Sequence, residues 1–366
     1  MLRIALIAHN HFPIREPFAG GLEAHVWHLT RALVGLGHRV TLFAAQGTDP
    51  GFTHPGLTVR ALPRSEAAAV PFPLPGAVKQ SRHDAYVAVM SELTEDHPWR
   101  FDVIHNHSLH YVPIRWAPYL RTPMLTTLHT PPLPLLEAAI GSMKDSDLAF
   151  AAVSRNAADA WAHVGIERLA VVPNGVDVSR WPLGAGGGRY LVWSGRIVPE
   201  KAPHLAIDAA VRSGHHLTLA GPTVDAEYFR RRIEPHLGDR VRYAGHLDQR
   251  SLASLVGGAA AALVTPRWNE PYGQVVAEAL SCGTPVVAFA RGGVPELVDR
   301  DCGRLVPPED TAAMAAAIPD AAALCRTTVR AKAVARHSVA TMADRYVALY
   351  RDLIDRAVRR RLDRPA

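Results

Sequence analysis

The sequence has almost no cysteine. There are three in 366 residues, Cys282, Cys302 and Cys325. They are odd in number and scattered, which argues against a disulfide framework and against the close paired spacing of a structural zinc site. Long apolar runs are missing as well. No window approaches the ~18 unbroken apolar residues of a bilayer-spanning helix. The opening Met1-Leu-Arg-Ile-Ala-Leu-Ile-Ala8 is too short for a signal-peptide core. It reads as a first β-strand, and a cytoplasmic location is expected. Also absent are a Gly-x-Gly-x-x-Gly dinucleotide fingerprint and any nucleic-acid-binding motif. The formal net charge of +6 suits a phosphate-bearing ligand or an anionic surface. However, only the tail from Arg356 to Arg364 is densely basic, so no nucleic-acid partner is expected.

What is present is alternation. Short apolar, β-branched runs recur at Ile4–Ala8, Val40–Ala44, Val103–His107, Met124–Leu128, Phe150–Val153 and Leu169–Val172. They recur again at Tyr190–Trp193, Leu217–Ala220, Val241–Ala244, Ala261–Thr265 and Val286–Phe289. Each has the length of a strand buried on both faces of a parallel sheet. Helical stretches such as Leu22–Leu36, Leu205–Arg212 and Val275–Leu280 lie between them. The pattern is βαβ, twice over: an α/β chain of two Rossmann-like domains. The first is expected over 1–172 and the second over 189–341. The turn-rich stretch 173–188, ending in Gly184-Ala-Gly-Gly-Gly188, reads as the linker. The proline-bearing stretch Thr48–Gly76 reads as a long loop. A C-terminal helix over about 342–362 puts Tyr346, Leu349, Tyr350, Leu353 and Ile354 on one face and Arg351, Asp352, Arg356 and Arg360 on the other. It is expected to pack back on the first domain, the other reading being weak peripheral contact with a membrane.

Three segments carry candidate chemistry. In Phe18-Ala-Gly-Gly-Leu-Glu23, Gly20 and Gly21 open a helix and would let the backbone approach a phosphate. In Ser194-Gly195-Arg196-Ile-Val-Pro-Glu-Lys201, two cations follow a strand directly. Ligands of open α/β sheets bind at that strand end, and a guanidinium with an ammonium suits a pyrophosphate. In Pro266-Arg-Trp-Asn-Glu-Pro-Tyr-Gly-Gln-Val-Val-Ala-Glu278, a turn leads into a helix. The amides of Gly273 to Val276 would form an anion-binding N-terminus. Glu270 and Glu278 would stand roughly 12 Å apart if the stretch were wholly helical. That is too far for an acid–base carboxylate pair and suits two ends of one ligand. The apolar neighbours of Glu278 imply that its carboxylate has a partner.

With these segments in order, the chain resembles the family 4 retaining glycosyltransferases of GT-B fold over essentially its whole length. The resemblance also takes in Thr127-Leu-His-Thr130, Pro173-Asn-Gly-Val-Asp177, Gly221-Pro222 and Gly292-Gly-Val-Pro-Glu-Leu297. It implies two Rossmann-like domains facing a central cleft, the first on the acceptor side and the second holding a nucleotide-sugar donor. It implies that Glu278 holds the donor ribose and Glu270 the sugar hydroxyls, while the amides of Tyr272, Gly273, Gln274, Val275 and Val276 contact sugar and diphosphate. Arg196 and Lys201 would neutralise the leaving diphosphate beside Gly195 and Gly221, and Gly21 would approach it. His129 would be the active-site histidine, and the base would be read around Gly245 and His246. The expected donor is a UDP-sugar, and the acceptor a small molecule, a glycan or a lipid-linked sugar. No metal or further cofactor is expected; attack would come from the front face, with retention. The sequence departs from the family at Ala202-Pro203, where glycine is usual after the lysine.

Other readings share the pattern. A nicotinamide oxidoreductase also pairs Rossmann halves, but the missing fingerprint speaks against it. A sugar-nucleotide epimerase, a phosphorylase-like enzyme, or a catalytically silent sugar-nucleotide binder would keep the fold. The intact set His129, Arg196, Lys201, Glu270 and Glu278 speaks against the last. His9, Asn10, Thr130 and Arg155 are candidates for the acceptor side. His105 and His107 share a strand face, yet no carboxylate or cysteine joins them, so a metal there is not expected.

Overall fold

The computed structural model describes residues 1–62, 76–95, 101–143 and 148–362. The chain divides into two compact units. The first comprises Met1–Arg15, Leu22–Pro173 and Met342–Ala366; the second comprises Glu16–Gly21 and Asn174–Thr341.

The first unit is built on a seven-stranded sheet. Its strands are β1 (Arg3–Ile7), β2 (Arg39–Ala45), β3 (Leu57–Leu62), β4 (Val103–Asn106), β5 (Met124–Leu128), β6 (Ala149–Ala152) and β7 (Leu169–Val171), in the order β3-β2-β1-β4-β5-β6-β7. Every pairing is parallel. Parallel neighbours need a crossover, supplied by α1 (Gly21–Gly35), α2 (Gly76–Thr94), α3 (Tyr111–Trp116), α4 (Pro134–Gly141) and α5 (Arg155–Trp161). Helices cover both faces of the central strands: β4, β5 and β6 are buried at every position, and the polar His105, Asn106, Thr126 and Thr127 among them are hydrogen-bonded. Ser154 fixes the start of α5, its hydroxyl accepting from the Ala157 amide at 2.9 Å.

The second unit repeats the plan with six strands, all parallel: β8 (Tyr190–Ser194), β9 (His216–Ala220), β10 (Val241–Tyr243), β11 (Ala261–Val264), β12 (Val286–Phe289) and β13 (Gly303–Val306). Their order is β10-β9-β8-β11-β12-β13. The helices are α6 (Pro203–Arg212), α7 (Ala226–Arg232), α8 (Gln249–Gly258), α9 (Gln274–Ser281), α10 (Thr311–Ala322) and α11 (Arg326–His337). Asp225, Asp248 and Asp310 cap α7, α8 and α10 through their carboxylates. Both sheets carry the doubly wound α/β plan expected from the sequence.

Two strands depart from the sequence reading. The stretch read as a loop from Thr48 to Gly76 contains β3, an edge strand with only Leu62 buried; residues 63–75 of it lie outside the described residues. β13, also at a sheet edge, was not anticipated. Edge strands are covered on fewer sides and so need less of the apolar signature. The glycine-rich stretch read as a linker is packed on the second unit in its later part. Gly184 donates to the Cys282 carbonyl at 3.0 Å and Gly188 to the Gly258 carbonyl at 3.0 Å. A side chain at Gly184 would overlap the Gly257 backbone.

The last helix, α12 (Val339–Leu362), returns to the first unit. Met342, Ala343, Tyr346, Val347, Tyr350 and Leu353 are buried, so the apolar face that a membrane would have taken is covered by protein. A polar clasp fixes its register. His105 Nδ1 lies 2.6 Å from the Tyr350 hydroxyl, and His105 Nε2 lies 2.7 Å from Thr127 Oγ1. Thr127 Oγ1 in turn lies 3.3 Å from the Tyr346 hydroxyl. A neutral imidazole offers one donor and one acceptor, and here both are used in a fully buried position. Among the described residues, no helix is long and apolar enough to cross a membrane.

Tyr350→Phe keeps the ring and removes the hydroxyl, leaving His105 Nδ1 without its partner. The expected cost is about 1–3 kcal/mol, that of an unsatisfied buried polar group. It should appear as a lowered urea midpoint; an unchanged midpoint would mean that the clasp contributes nothing.

Candidate functional site

The strand order fixes where a ligand can bind. In each sheet the winding reverses at one place: between β1 and β4 in the first unit, between β8 and β11 in the second. At such a reversal the crossovers diverge and leave a crevice at the carboxyl ends of the strands.

In the second unit, that crevice collects the residues singled out in the sequence. β8 runs into Gly195 and Arg196, and β9 runs into Gly221. Gly195 has φ 150° and Gly221 φ 139°, and any side chain at Gly221 would overlap the Gly195 carbonyl. Two strand ends can therefore meet backbone to backbone only because both are glycine. Gly245 lies beyond β10 with its carbonyl accepting from the Gly221 amide at 2.8 Å. The next residue, His246, is exposed, with Nε2 3.1 Å from the Phe18 carbonyl oxygen.

The loop from 195 to 202 is tied to the end of β11 by Thr265. Its buried hydroxyl lies 3.1 Å from the Lys201 carbonyl and 2.9 Å from the Ala202 carbonyl, and it accepts from Trp193 Nε1 at 3.1 Å. Ala202 sits at φ 49°, in the left-handed region where glycine is usual, which is the departure noted in the sequence. This fastening brings Lys201 against Glu270, 69 positions along the chain, as a direct ion pair. Trp268 holds both partners. Its indole N–H donates to Glu270 Oε2 at 2.9 Å, and the Lys201 ammonium lies 4.9 Å from its ring centroid. Behind Glu270, the Gly293 amide donates to its carbonyl at 2.7 Å, and a side chain on Gly292 would overlap its backbone. Arg196 stands half-exposed, 3.9 Å from Glu200.

Pro271, Tyr272 and Gly273 turn the chain into α9. Gly273 is the N-cap, at φ 99°, with no side-chain hydrogen bond to the helix start. Among the described residues, the amides of Gln274 and Val275 therefore lack an intrahelical or side-chain partner, whereas that of Val276 donates to the Gly273 carbonyl at 2.9 Å. Gly21 is brought to the same helix start: a Cβ on it would lie 3.4 Å from Gln274 Cβ. Tyr272 is buried and structural, its hydroxyl donating to the Asn174 carbonyl at 2.8 Å. Because the helix begins only at Gln274, the helical rise from there to Glu278 is about 6 Å, and the turn supplies the rest of the separation from Glu270. Glu278 sits among apolar neighbours. Desolvation pushes its carboxyl up to about 8, only partly opposed by a hydrogen bond from Gln274. It is therefore largely neutral at pH 7.

The first unit holds a different grouping. His129 closes β5 and His107 follows β4, with His107 Nδ1 2.8 Å from His129 Nε2. His25, on α1, packs against both rings, its centroid 4.8 Å from that of His129 and 5.3 Å from that of His107. Burial, reinforced by the neighbouring imidazoles, holds His105, His107 and His129 well below the ordinary histidine value. All three are neutral at pH 7. His25, His107 and His129 place ring nitrogens within 4.8 Å of one another. The bonded nitrogens of His107 and His129 are nonetheless closer than the ~3.3 Å between two donors sharing a tetrahedral zinc at about 2.0–2.1 Å. The geometry is that of a hydrogen-bonded pair. Glu23, from the Gly-Gly-Leu-Glu segment, is buried and bonded to His9. Sequence reasoning gave no role to Trp268, Thr265, His25 or Glu23. Only the fold brings them to these strand ends.

Known proteins share these features. Residues 19–180 match the family model described as Glycosyltransferase Family 4, and residues 188–323 match that described as Glycosyl transferases group 1. A glycogen synthase of Mycobacterium tuberculosis is 29% identical, covering 87% of this chain and 85% of its own. A D-inositol 3-phosphate glycosyltransferase of Geodermatophilus obscurus is 28% identical, covering 94% and 87%. Among solved structures, a sucrose-phosphate synthase of Thermosynechococcus elongatus superposes with a TM-score of 0.81 at 23% identity, over 97% of this chain and 100% of its own. An Anabaena protein crystallised with UDP and glucose gives 0.76 at 19%, over 96% and 100%. The fold is GT-B.

The elevated Glu278 carboxyl has a consequence for stability. Its folded value of about 8 exceeds the ordinary 4.5, so the folded state binds more protons between those limits and stability falls as pH rises through them. The buried histidines act with the opposite sign but only below about 6.5, their unfolded value. Glu278→Gln should therefore flatten the decline between pH 6.5 and 8 in thermal unfolding. A slope equal to that of the unsubstituted protein would show that Glu278 is ionised in the folded state.

Proposed function

Because the chain belongs to the family 4 glycosyltransferases, we propose that it moves a sugar from a nucleoside-diphosphate donor to an acceptor hydroxyl, with retention at the anomeric carbon. The donor proposed first is a UDP-sugar, in line with the UDP and UDP-glucose held by solved neighbours of the same fold. The observation that carries the reading is the second-unit crevice: Lys201, Glu270 and Trp268 joined in one cluster, beside the uncapped start of α9.

The chemistry follows from the charges. As the bond to the sugar breaks, negative charge grows on the departing diphosphate. Lys201, Arg196 and the amides of Gly273 to Val276 are the groups proposed to receive it. Glu270 is paired with Lys201. A bound donor would exchange that contact for two: phosphate oxygen on the ammonium, sugar hydroxyls on the carboxylate. Trp268 would keep both side chains in place during the exchange. Gly20, Gly21, Gly195 and Gly221 leave room for the diphosphate, and Gly245 and His246 are proposed to border the base. Glu278 is proposed to take the ribose hydroxyls. Hydroxyls donating to it favour the carboxylate, so nucleotide binding would release a proton below pH 8. His129 is proposed as a neutral hydrogen-bonding partner of the donor sugar, since burial disfavours its cation. In a front-face displacement, the acceptor's proton passes to a donor phosphate oxygen, and no covalent sugar–enzyme bond forms.

A panel of UDP, GDP, ADP and dTDP sugars, read by thermal stabilisation, tests the donor. One nucleotide should raise the midpoint well above the others; no shift with any would count heavily against the reading. Glu278→Ala should weaken binding of the free nucleotide by about tenfold to a hundredfold, the worth of hydrogen bonds to a charged group. Glu270→Ala should leave that binding intact and lower turnover. Normal nucleotide affinity in the Glu278 variant would remove the ribose assignment.

A further inference from the structure

The winding reversal of the first unit, between β1 and β4, carries its own set of side chains. β1 runs into His9 and Asn10, and β4 into Ser108, Leu109 and His110. The second loop is tightly built. Asn106 Oδ1 accepts from the Ser108 amide at 3.0 Å, and Ser108 Oγ accepts from the His110 amide at 3.2 Å. Leu109 is held at φ 54°, a left-handed conformation uncommon for a branched side chain. Such strain persists where the surroundings over-determine it, and it gathers at ligand sites.

Helix α2 lies over these loops. Tyr86 is fully buried, its hydroxyl donating toward the Ala8 and Ser108 carbonyls at 3.2 and 3.4 Å. One turn earlier, Arg82 donates from Nε to Asn10 Oδ1 at 2.9 Å. Among the described residues, no carboxylate pairs with the Arg82 guanidinium, although burial lowers its pKa. Its neighbours are neutral or donating groups. The His110 ring stacks on Tyr111 with centroids 4.6 Å apart and lies 6.0 Å from that of His83. His83 Nδ1 lies 2.9 Å from the Tyr111 hydroxyl. His110 is pushed down to about 4 by burial and by the charges of Arg82 and His83, so it is neutral at pH 7.

A half-buried guanidinium without a counter-carboxylate, at the one place in the sheet where a ligand crevice is expected, calls for an anion. We propose that this crevice binds a phosphate monoester carried by the acceptor, with Arg82 as the charge that selects it and His83, His110 and Tyr111 as its hydrogen-bonding surround. A phosphate suits the site better than a carboxylate, because three terminal oxygens match donors arriving from several side chains while two do not. The proposal rests on the transferase reading, which requires an acceptor. The positive group belongs to the first unit, whereas the cations assigned to the donor belong to the second. None of the acceptor-side candidates in the sequence reading except Asn10 takes part.

The test uses the full chain with inorganic phosphate and acetate as probes, in saturating UDP so that the donor's own phosphate site is filled. Binding is followed through the histidine C2–H resonances. Phosphate should shift the His83 and His110 signals in a saturable way, and acetate should not. Arg82→Gln should weaken the phosphate response roughly tenfold or more, as expected for loss of a charge-assisted contact, and Arg82→Lys should restore part of it. UDP affinity, measured on the same samples, should be equal in all three proteins, which also shows that the variants are folded. A phosphate response unchanged in Arg82→Gln, or an equal response to acetate, overturns the proposal and leaves the donor site standing. Failure of UDP to bind the unsubstituted protein counts instead against the proposed donor. The difference between unsubstituted protein and Arg82→Gln still decides the phosphate site.

Discussion

Everything in this molecule hangs on the parallel hydrogen-bond ladder. A parallel strand cannot be followed by its neighbour through a tight turn, so each must be reached by a crossover on one face or the other. With every pairing parallel in both sheets, all carboxyl ends of a sheet lie along one edge, and the loops that follow them are thrown together whatever their distance in sequence. That is how Lys201 meets Glu270 and how His107 meets His129. The strand order then singles out one position on each edge where the crossovers part. The fold determines where chemistry can occur before any side chain is chosen.

Charge is distributed unevenly along those edges, and solvation explains the pattern. In the second unit, an ammonium and a carboxylate satisfy each other, with an indole touching both. Four residues into the following helix, another glutamate is kept neutral by its apolar surroundings. Identical side chains thus meet different surroundings, one a cation and the other hydrocarbon. In the first unit, burial keeps His105, His107 and His129 neutral, and they are bonded to one another or to hydroxyls. Neutral rings keep their hydrogen-bonding capacity without the desolvation cost of a cation.

The sequence made most of this legible, for reasons that can be stated. Strands buried on both faces are mostly apolar, so all but two of the thirteen strands among the described residues stand out as short runs. The two it hid, β3 and β13, lie at sheet edges, where exposed positions such as Leu305 blur the signal. Gly195 and Gly273 were legible where the chain leaves a strand or turns into a helix, and Gly221 and Gly292 through the family resemblance; their positive φ values give the physical reason. The supports were not. Trp268 matters only because folding places its ring beneath a lysine 67 positions earlier, and Thr265 only because its hydroxyl reaches the 201–202 carbonyls. Arg82 lies on α2, and only folding brings it to Asn10, 72 positions earlier. Contacts of this kind belong to the assembled sheet and leave no local pattern.

The return of α12 to the first unit has one more consequence, and it concerns the order in which the chain is made. His105 sits in β4, but its partner Tyr350 is added 245 residues later. The second unit, apart from the short segment 16–21, lies wholly between them in sequence. On the ribosome, the first sheet must therefore wait with Thr127 and His105 unclasped while the second unit is translated. Each unit is interrupted by a segment of the other, so a chain cut after Pro173 releases neither in finished form.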